Sequence, residues 1–357
     1  IWLEKGDITP HSYITGATRS GKSYLLELLA YHIIKDKNSS LVVIDPHGDL
    51  AESIARLKIN HLSDRLIYFY PYLAKGKNLY PVMNPLSTND SSLIEADLST
   101  QELMKALRII LNAKGGEFTP QMENILKKCL KTLYLKKDST IYDLYRFMNN
   151  DFNKCLLESA KSNNDYMTRS FFNNEFDKKE YRPSKHGNCA KIDSMFLSDN
   201  AICKTIVGDQ TFDLEEAFNS NKIILVNLSG GTIGEDAGEI IGKFFVARLM
   251  GYARARAEYH EDKRSISYLF IDECQTYITE TIKKILTEAG KYNLNLTLAP
   301  QIPSGDMNVD IYNAVISNTK FKATGKNIKK VYTKLERDIG TPLSELENNR
   351  RHVFSIQ

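Results

Sequence analysis

The octapeptide Gly16-Ala17-Thr18-Arg19-Ser20-Gly21-Lys22-Ser23 constrains this chain more than any other stretch. It has the form G-x-x-x-x-G-K-S, follows an apolar strand candidate at Ser12–Thr15 and opens a helix candidate at Lys22–Ile34. A loop in that setting aims backbone N–H groups and a helix N-terminus at phosphate oxygens. Lys22 then reaches the β- and γ-phosphates, the Ser23 hydroxyl ligates Mg2+, and Gly16 through Tyr24 line the nucleotide. An accidental glycine turn needs neither the strand before it nor the helix after it. The expected cofactors are ATP and Mg2+, and the expected scaffold is an α/β sheet.

The rest of the chain supports that scaffold at both ends and departs from it in the middle. Leu41–Asp45, Lys222–Leu228, Tyr268–Asp272 and Leu294–Leu298 are short continuous apolar runs, the signature of strands buried on both faces of a parallel sheet. Arg65–Phe69, Phe321–Ala323 and His352–Ser355 are further strand candidates. Between about Ile94 and Val207 helical periodicity dominates, with helices expected after Thr119-Pro120, at Ile141–Met148, Phe152–Ala160 and Ala190–Leu197. Lys161–Lys185 reads as polar and irregular. Gly238–Tyr259 and Thr279–Lys291 are helix candidates in the last part. The fold class expected is α/β, a mainly parallel sheet with an all-helical insertion: core residues 1–90, insertion 91–210, core 211–357.

Composition excludes several classes. Hydrophobic residues make up 42% and charged residues 25% of 357, the balance of a folded globular chain. No apolar run approaches the roughly 20 residues of a membrane-spanning helix, and no signal-peptide pattern opens the chain, which begins at Ile1. Five cysteines without a C-x-x-C pair argue against a disulfide framework and a zinc site. A net charge of +3 permits nucleic-acid binding without demanding it.

A phosphate loop alone does not say what happens to the nucleotide. The strand Ser267–Ile271 ends in Asp272-Glu273. There Asp272 holds Mg2+ through its water shell and Glu273 accepts a proton from, or orients, the attacking water. Gln301 follows the strand Leu294–Leu298, at the tip of a neighbour able to sense a γ-phosphate. Asp45 either lines the same cleft or caps the next helix, and His47 is a turn residue or a functional one.

With these pieces in place the chain resembles the FtsK/HerA-type motor ATPases, in particular the coupling proteins of conjugative type IV secretion systems. The matching segments are GATRSGKS, LVVIDPHGDL, YPVMNPL, GEFTPQMENILKKCL, KIILVNLSGGTIGEDAGEIIGKFF, YLFIDECQTYIT, ILTEAGKYNLNLTLAPQ and NTKFKATG, in this order from about Tyr13 to Gly325. The resemblance implies a RecA-like core, and an all-alpha insertion that faces the cytoplasm and helps select DNA. It also implies a ring, usually a hexamer, with ATP between subunits. Lys22 and Ser23, Asp272 and Glu273, and Gln301 take the Walker A, Walker B and glutamine-sensor roles. Relaxase and secretion-channel proteins are the implied partners. The implied location is cytoplasmic, at the cytoplasmic face of the inner membrane, with attachment through a segment not present in this sequence.

One departure stands out. Relatives of this type carry an arginine in the segment written here Glu288-Ala289-Gly290-Lys291-Tyr292. Arginine fingers are worth roughly 10³–10⁵ in rate through a planar fork that lysine lacks. Lys291 substitutes weakly, or Arg248, Arg337 or Arg350 takes over, or hydrolysis is slow. For DNA contact the expected residues are Lys320, Lys322, Lys326, Lys329 and Lys330, in a run that also holds Lys334 and Arg337. Such a cluster follows a phosphate backbone without reading sequence, or is a solvated face. The Gly230-Gly231-Thr232 loop is a second candidate for a channel contact. Three functions stay open: a DNA translocase, a related motor moving protein or packaging viral DNA, and a nucleotide-regulated assembly protein with weak hydrolysis.

Overall fold

The expected strands form one eight-stranded sheet: β1 (His11–Thr15), β2 (Ser39–Asp45), β3 (Leu66–Phe69), β4 (Ile223–Asn227), β5 (Ile266–Asp272), β6 (Leu294–Ala299), β7 (Phe321–Thr324) and β8 (Ser355–Ile356). Their order is β3-β4-β2-β5-β6-β1-β7-β8, and every pairing is parallel except that of β7 with β8. This computed structural model describes residues 11–59, 61–71, 80–87, 92–113, 115–149, 152–229, 234–277, 280–301, 307, 309–350 and 352–356. At residues 113, 201, 280, 281, 330, 334, 338 and 339 it describes the backbone alone.

β1, β2, β4 and β6 are buried along their whole length and β5 along all but its first residue, because helices cover both faces of a parallel sheet. On one face α1 (Lys22–Lys35) lays down Leu26, Leu29, Ile33 and Ile34 against Ile14, Val43 and Phe270. The helix α2 (Asp49–Ala55) adds Leu50, Ala51 and Ile54 to the same core. Some polar groups inside the sheet are paired, while the buried Thr15 Oγ1 and Tyr268 hydroxyl have no hydrogen-bond partner among the described residues. Ser40 and Ser267 face each other in register, with Ser40 Oγ donating to Ser267 Oγ at 2.6 Å. Arg256, 2% exposed, donates to Ser267 Oγ at 2.7 Å and to the Ser265 carbonyl at 2.9 Å, over the Phe218 ring at 4.2 Å. Burial lowers its pKa to about 10.

Among the described residues the chain divides into two units, Ile1–Tyr70 with Leu214–Gly242 and Leu249–Gln357, and Pro71–Asp213 with Lys243–Arg248. Residues 80–87 thus group with the helices rather than with the first part of the sheet. Val82 N–H donates to Thr211 Oγ1 at 3.0 Å, and Asn84 Nδ2 to the Ser139 carbonyl at 2.8 Å.

The second unit is helical. Thr119 caps the helix Pro120–Tyr134 by accepting from the Met122 N–H, with proline at the first helical position. Ile141–Met148 is a helix with the expected bounds. Three readings need correction. The helix placed at Phe152–Ala160 runs Lys154–Lys161. The stretch read as irregular holds the helix Tyr166–Asn174, which Asp165 caps at Thr168 and which buries Phe171 and Phe172. Those rings and Phe176 pack on Phe147, with Phe172 4.9 Å from Phe176 and 5.2 Å from Phe147. The helix placed at Ala190–Leu197 is the end of a longer one, Arg182–Ile192, that continues as a π-helical turn Asp193–Leu197. Gly238–Tyr259 becomes a helix over Glu235–Ala255 and a 3₁₀ turn, and Thr279–Lys291 a helix over Glu280–Glu288 and a 3₁₀ turn. The last strand shrinks to Ser355–Ile356, because His352 adopts φ 63°, which no strand allows. No helix among the described residues is long and apolar enough to cross a membrane.

His11 offers a test of this sheet. It is 2% exposed, and its Nδ1 accepts from the Leu296 N–H at 3.0 Å across the β1–β6 pairing. Burial lowers its pKa from 6.5 to about 4, against a backbone hydrogen bond at Leu286. Between those values the unfolded chain takes up a proton that the folded chain refuses, so stability falls as pH falls through that window. The loss from this one residue is on the order of 3 kcal/mol once pH reaches the folded value. Urea unfolding across the window should show that slope in the wild type and a shallower one in His11→Asn.

Candidate active site

Three neighbouring strand ends meet at the carboxyl edge of the sheet. β6 lies between β1 and β5, so the loop after β1, the acids after β5 and the glutamine after β6 share one crevice. Ligands of open parallel sheets bind at this edge. The crevice has a volume of about 370 Å³ and is lined by the loop residues Gly16–Arg19 and Gly21–Tyr24, by Asp45, Asp272, Glu273 and Gln301, and by His352. That volume lies within the roughly 300–1,000 Å³ of small-molecule sites.

The loop earns its shape from its glycines. Gly21 takes φ 102° as the N-cap of α1, and a Cβ on Gly16 would stand 2.3 Å from Ser20 Oγ. Gly21 provides no side-chain cap, so the first-turn N–H groups of α1 are left to an external acceptor. Ala17 N–H donates to the Lys326 carbonyl at 2.9 Å and Ser20 N–H to the Ala17 carbonyl at 3.0 Å, which hold the loop open. Arg19 sits at φ 64° and Ser23 and Tyr24 are exposed on the crevice side.

Lys22 is 7% exposed and lies at the centre. Its Nζ donates to Glu273 Oε1 at 2.7 Å and to the Ala299 carbonyl at 3.1 Å, and stands 3.0 Å from Asp272 Oδ1. Burial works against its charge, but the two carboxylates outweigh burial and hold the ammonium above the ordinary lysine range. Burial pushes the Asp272 carboxyl up, with Glu273 and Asp45 adding to the shift and Lys22 opposing it. Two carboxylates face one ammonium, so the cluster suits an additional cation. A hydroxyl and a carboxylate are donors of the kind Mg2+ takes alongside phosphate and water. Ser23 and Asp272 fit that role.

Glu273 is held for a purpose the strand alone does not require. It takes the left-handed conformation, φ 45°, just past β5, and its second oxygen accepts from Gln275 Nε2 at 2.7 Å. A non-glycine residue in that conformation is strained and concentrates at functional sites. Gln301 donates through Nε2 to Thr18 Oγ1, which ties the tip of β6 to the loop. Asp45 does both things expected of it: it lines the crevice, and it accepts from the N–H groups of His47 and Ala51, each at 2.9 Å, at the start of α2. His47 lines the crevice as well.

The residues of the basic run differ in exposure and in partners. Lys320 is exposed just before β7. Lys322 is half-buried in β7, donates to the Thr319 carbonyl at 2.7 Å and has a pKa lowered by burial. Lys326 is exposed beside the loop and Lys329 pairs with Glu347 at 3.1 Å. Lys330 and Lys334 belong to the helix Lys329–Ile339, but their side chains lie outside the described residues, as do Gly230-Gly231-Thr232 entirely. Arg248 and Arg337 are both engaged with protein neighbours, and Lys291 Nζ lies 5.1 Å above the Tyr292 ring. Sequence reasoning missed His352, whose N–H donates to the Ser20 carbonyl at 2.9 Å. A lone histidine in a polar stretch carries no local signal of that contact.

Residues 3–249 match the family model described as helicase HerA, central domain. No curated protein matches the chain. Among solved structures it is similar to the plasmid coupling protein TrwB in complex with ADP and Mg2+, at 14% identity and TM-score 0.69, over 99% of this chain and 84% of that one. It is similar to the bacterial conjugative coupling protein TrwBdeltaN70 in complex with sulphate, at 15% identity and TM-score 0.67, over 99% and 83%. VirB4 of Thermoanaerobacter pseudethanolicus matches at 14% identity and TM-score 0.62, over 96% and 84%. The fold they share with this chain is the RecA-like P-loop core with its mainly parallel sheet.

Two substitutions test the site. Lys22→Ala should abolish nucleotide binding in calorimetry and, by leaving two buried carboxylates unpaired, should destabilise the fold by about 3 kcal/mol. Glu273→Gln should keep binding and lose turnover by at least about 100-fold, the scale of a lost general base; unchanged turnover removes Glu273 from that role.

Proposed function

The chain belongs to the HerA central-domain family, and from that premise we propose that it is an ATP-driven motor that hydrolyses Mg·ATP between subunits of a ring and moves DNA. The observation that carries the reading is Lys22 bonded to both Asp272 and Glu273 in one crevice. TrwB, a likeness in fold, has been captured with ADP and Mg2+ and with GTP and ATP analogues.

Each residue has a task in hydrolysis. The loop N–H groups and Lys22 take the phosphates, and Lys22 leaves the acids to do so. Glu273, released from the ammonium, becomes free to accept the proton of the attacking water, so phosphate binding arms the base. Ser23 and Asp272 would hold Mg2+, which would supply charge neutralisation to the phosphates. Gln301, already bonded to Thr18, carries the state of the loop to the end of β6. Lys326 connects in the same way from the basic run, since its carbonyl holds Ala17. DNA gripped near Lys320, Lys326 and Lys329 is thereby one hydrogen bond from the phosphate loop. A hexameric ring, relaxase or channel partners and an inner-membrane location complete this proposal by resemblance.

Lys291 favours a second reading, a nucleotide-regulated assembly protein with weak hydrolysis. It stands where related motors carry an arginine, and its ammonium is turned onto Tyr292.

ATP hydrolysis across protein concentration, with and without single- and double-stranded DNA, separates the two. A motor gives a rate that rises with DNA and more steeply than linearly with protein; bound ATP with no turnover under any condition gives the second reading. Lys320→Glu combined with Lys326→Glu should weaken DNA binding and lower the slope of log K against log salt by about one per lost phosphate contact. An unchanged slope shows that these lysines are a solvated face.

A further inference from the structure

The crevice lining holds two chemically different sets of side chains. Lys22, Asp272 and Glu273 form a charged cluster. Tyr24 and His352 also line it, two rings 6.3 Å apart and nearly perpendicular, at 86°. Tyr24 is 65% exposed, although it sits in the first turn of α1 directly after the phosphate-binding residues. The His352 imidazole makes no hydrogen bond among the described residues.

His352 is held there by construction. Ser355 pairs with Thr324 in the β7–β8 ladder, and Asn349 Nδ2 donates to the Thr324 carbonyl at 2.9 Å. These two contacts hold the chain on either side of His352 to the end of β7. His352 bonds the Ser20 carbonyl through its N–H and reverses the chain at φ 63°. Its ring packs so closely on Gly21 that a Cβ there would stand 2.6 Å from Nδ1. A non-glycine left-handed residue is costly, and here it turns an aromatic ring into the crevice.

We propose that Tyr24 and His352 form the nucleobase end of the nucleotide pocket. The inference rests on the nucleotide reading above and extends it to the part of the ligand that the phosphate loop does not hold. A perpendicular pair of rings gives a planar base one face to stack on and one edge to abut. Neither residue presents a pattern of donors and acceptors that selects one base, and every base has a π-face. The slot therefore accepts adenine and guanine alike. Tyr24 and His352 are binding residues in this account, and the N–H of His352 fastens the loop independently of its ring.

The test compares a ligand that has a base with one that lacks it. Binding of Mg·ATP, Mg·GTP and inorganic tripolyphosphate with Mg2+ is measured by calorimetry on the whole chain and on Tyr24→Ala, His352→Asn and Lys22→Ala. Asparagine tolerates the left-handed backbone and keeps the N–H, so His352→Asn removes only the ring. Both aromatic variants should lose roughly ten-fold in ATP and GTP affinity, the lower part of the range for base stacking, with tripolyphosphate binding within about two-fold of wild type. ATP affinity unchanged in both variants overturns the proposal. So does an equal fall for ATP and tripolyphosphate, which makes the segment a fastener of the loop and nothing more. Lys22→Ala should lose all three ligands. If the wild type binds none of them, the nucleotide reading fails together with this one, an outcome distinct from a base-specific result.

Discussion

Lys22 is the point on which the candidate site turns. Its ammonium joins the helix after β1 to the ends of β5 and β6, through Asp272, Glu273 and the Ala299 carbonyl. Two strands and a helix N-terminus far apart in sequence are held in register by one buried charge. Breaking one member of such a buried group costs more than the group adds to stability, since the survivors stay charged without a partner. With β6 between β1 and β5, a carbonyl from β6 and carboxylates from β5 both come within reach of the lysine that follows β1.

Burial of charge elsewhere in the sheet follows a different rule. Arg256 has no carboxylate partner among the described residues; carbonyls, Asn219 Oδ1 and the Ser267 hydroxyl surround it. Neutral acceptors keep a guanidinium satisfied without adding negative charge to the core. The contrast with Lys22 is functional. Arg256 is locked in place by geometry that admits no exchange, whereas Lys22 is held by acids that a phosphate can replace.

Much of this was legible in sequence, for local reasons. The phosphate loop and the Asp272-Glu273 pair follow from side chains set next to strand ends, and the buried strands follow from apolar runs such as Leu41–Asp45. The strand order was not legible, because no local pattern records which crossover a parallel strand takes. The helix Tyr166–Asn174 escaped because it is short and polar, with Phe171 and Phe172 its buried large apolar residues and Tyr166 and Met167 exposed; the Asp165 and Thr168 capping pair was the available sign. His352 escaped because its role depends on a backbone reversal and on the Thr324–Ser355 pairing, which act at a distance of more than 300 residues from the loop they reach.

The place of β1 in the sheet has a consequence for how this protein comes into being. Among the described residues β1 pairs with β6 and β7 alone, so this strand, made before the other seven of the sheet, waits until residue 294 for its first neighbour. At a synthesis rate of about 5–20 residues per second, that wait lasts roughly 15–55 seconds. For that time the ribosome carries an apolar segment, Ser12-Tyr13-Ile14, whose backbone has no sheet to join. The helices from Pro120 to Ile206 are made well before that, and helical contacts are short in sequence. The order of emergence therefore separates two events in time: those helices are finished while β1 still lacks both of its neighbours.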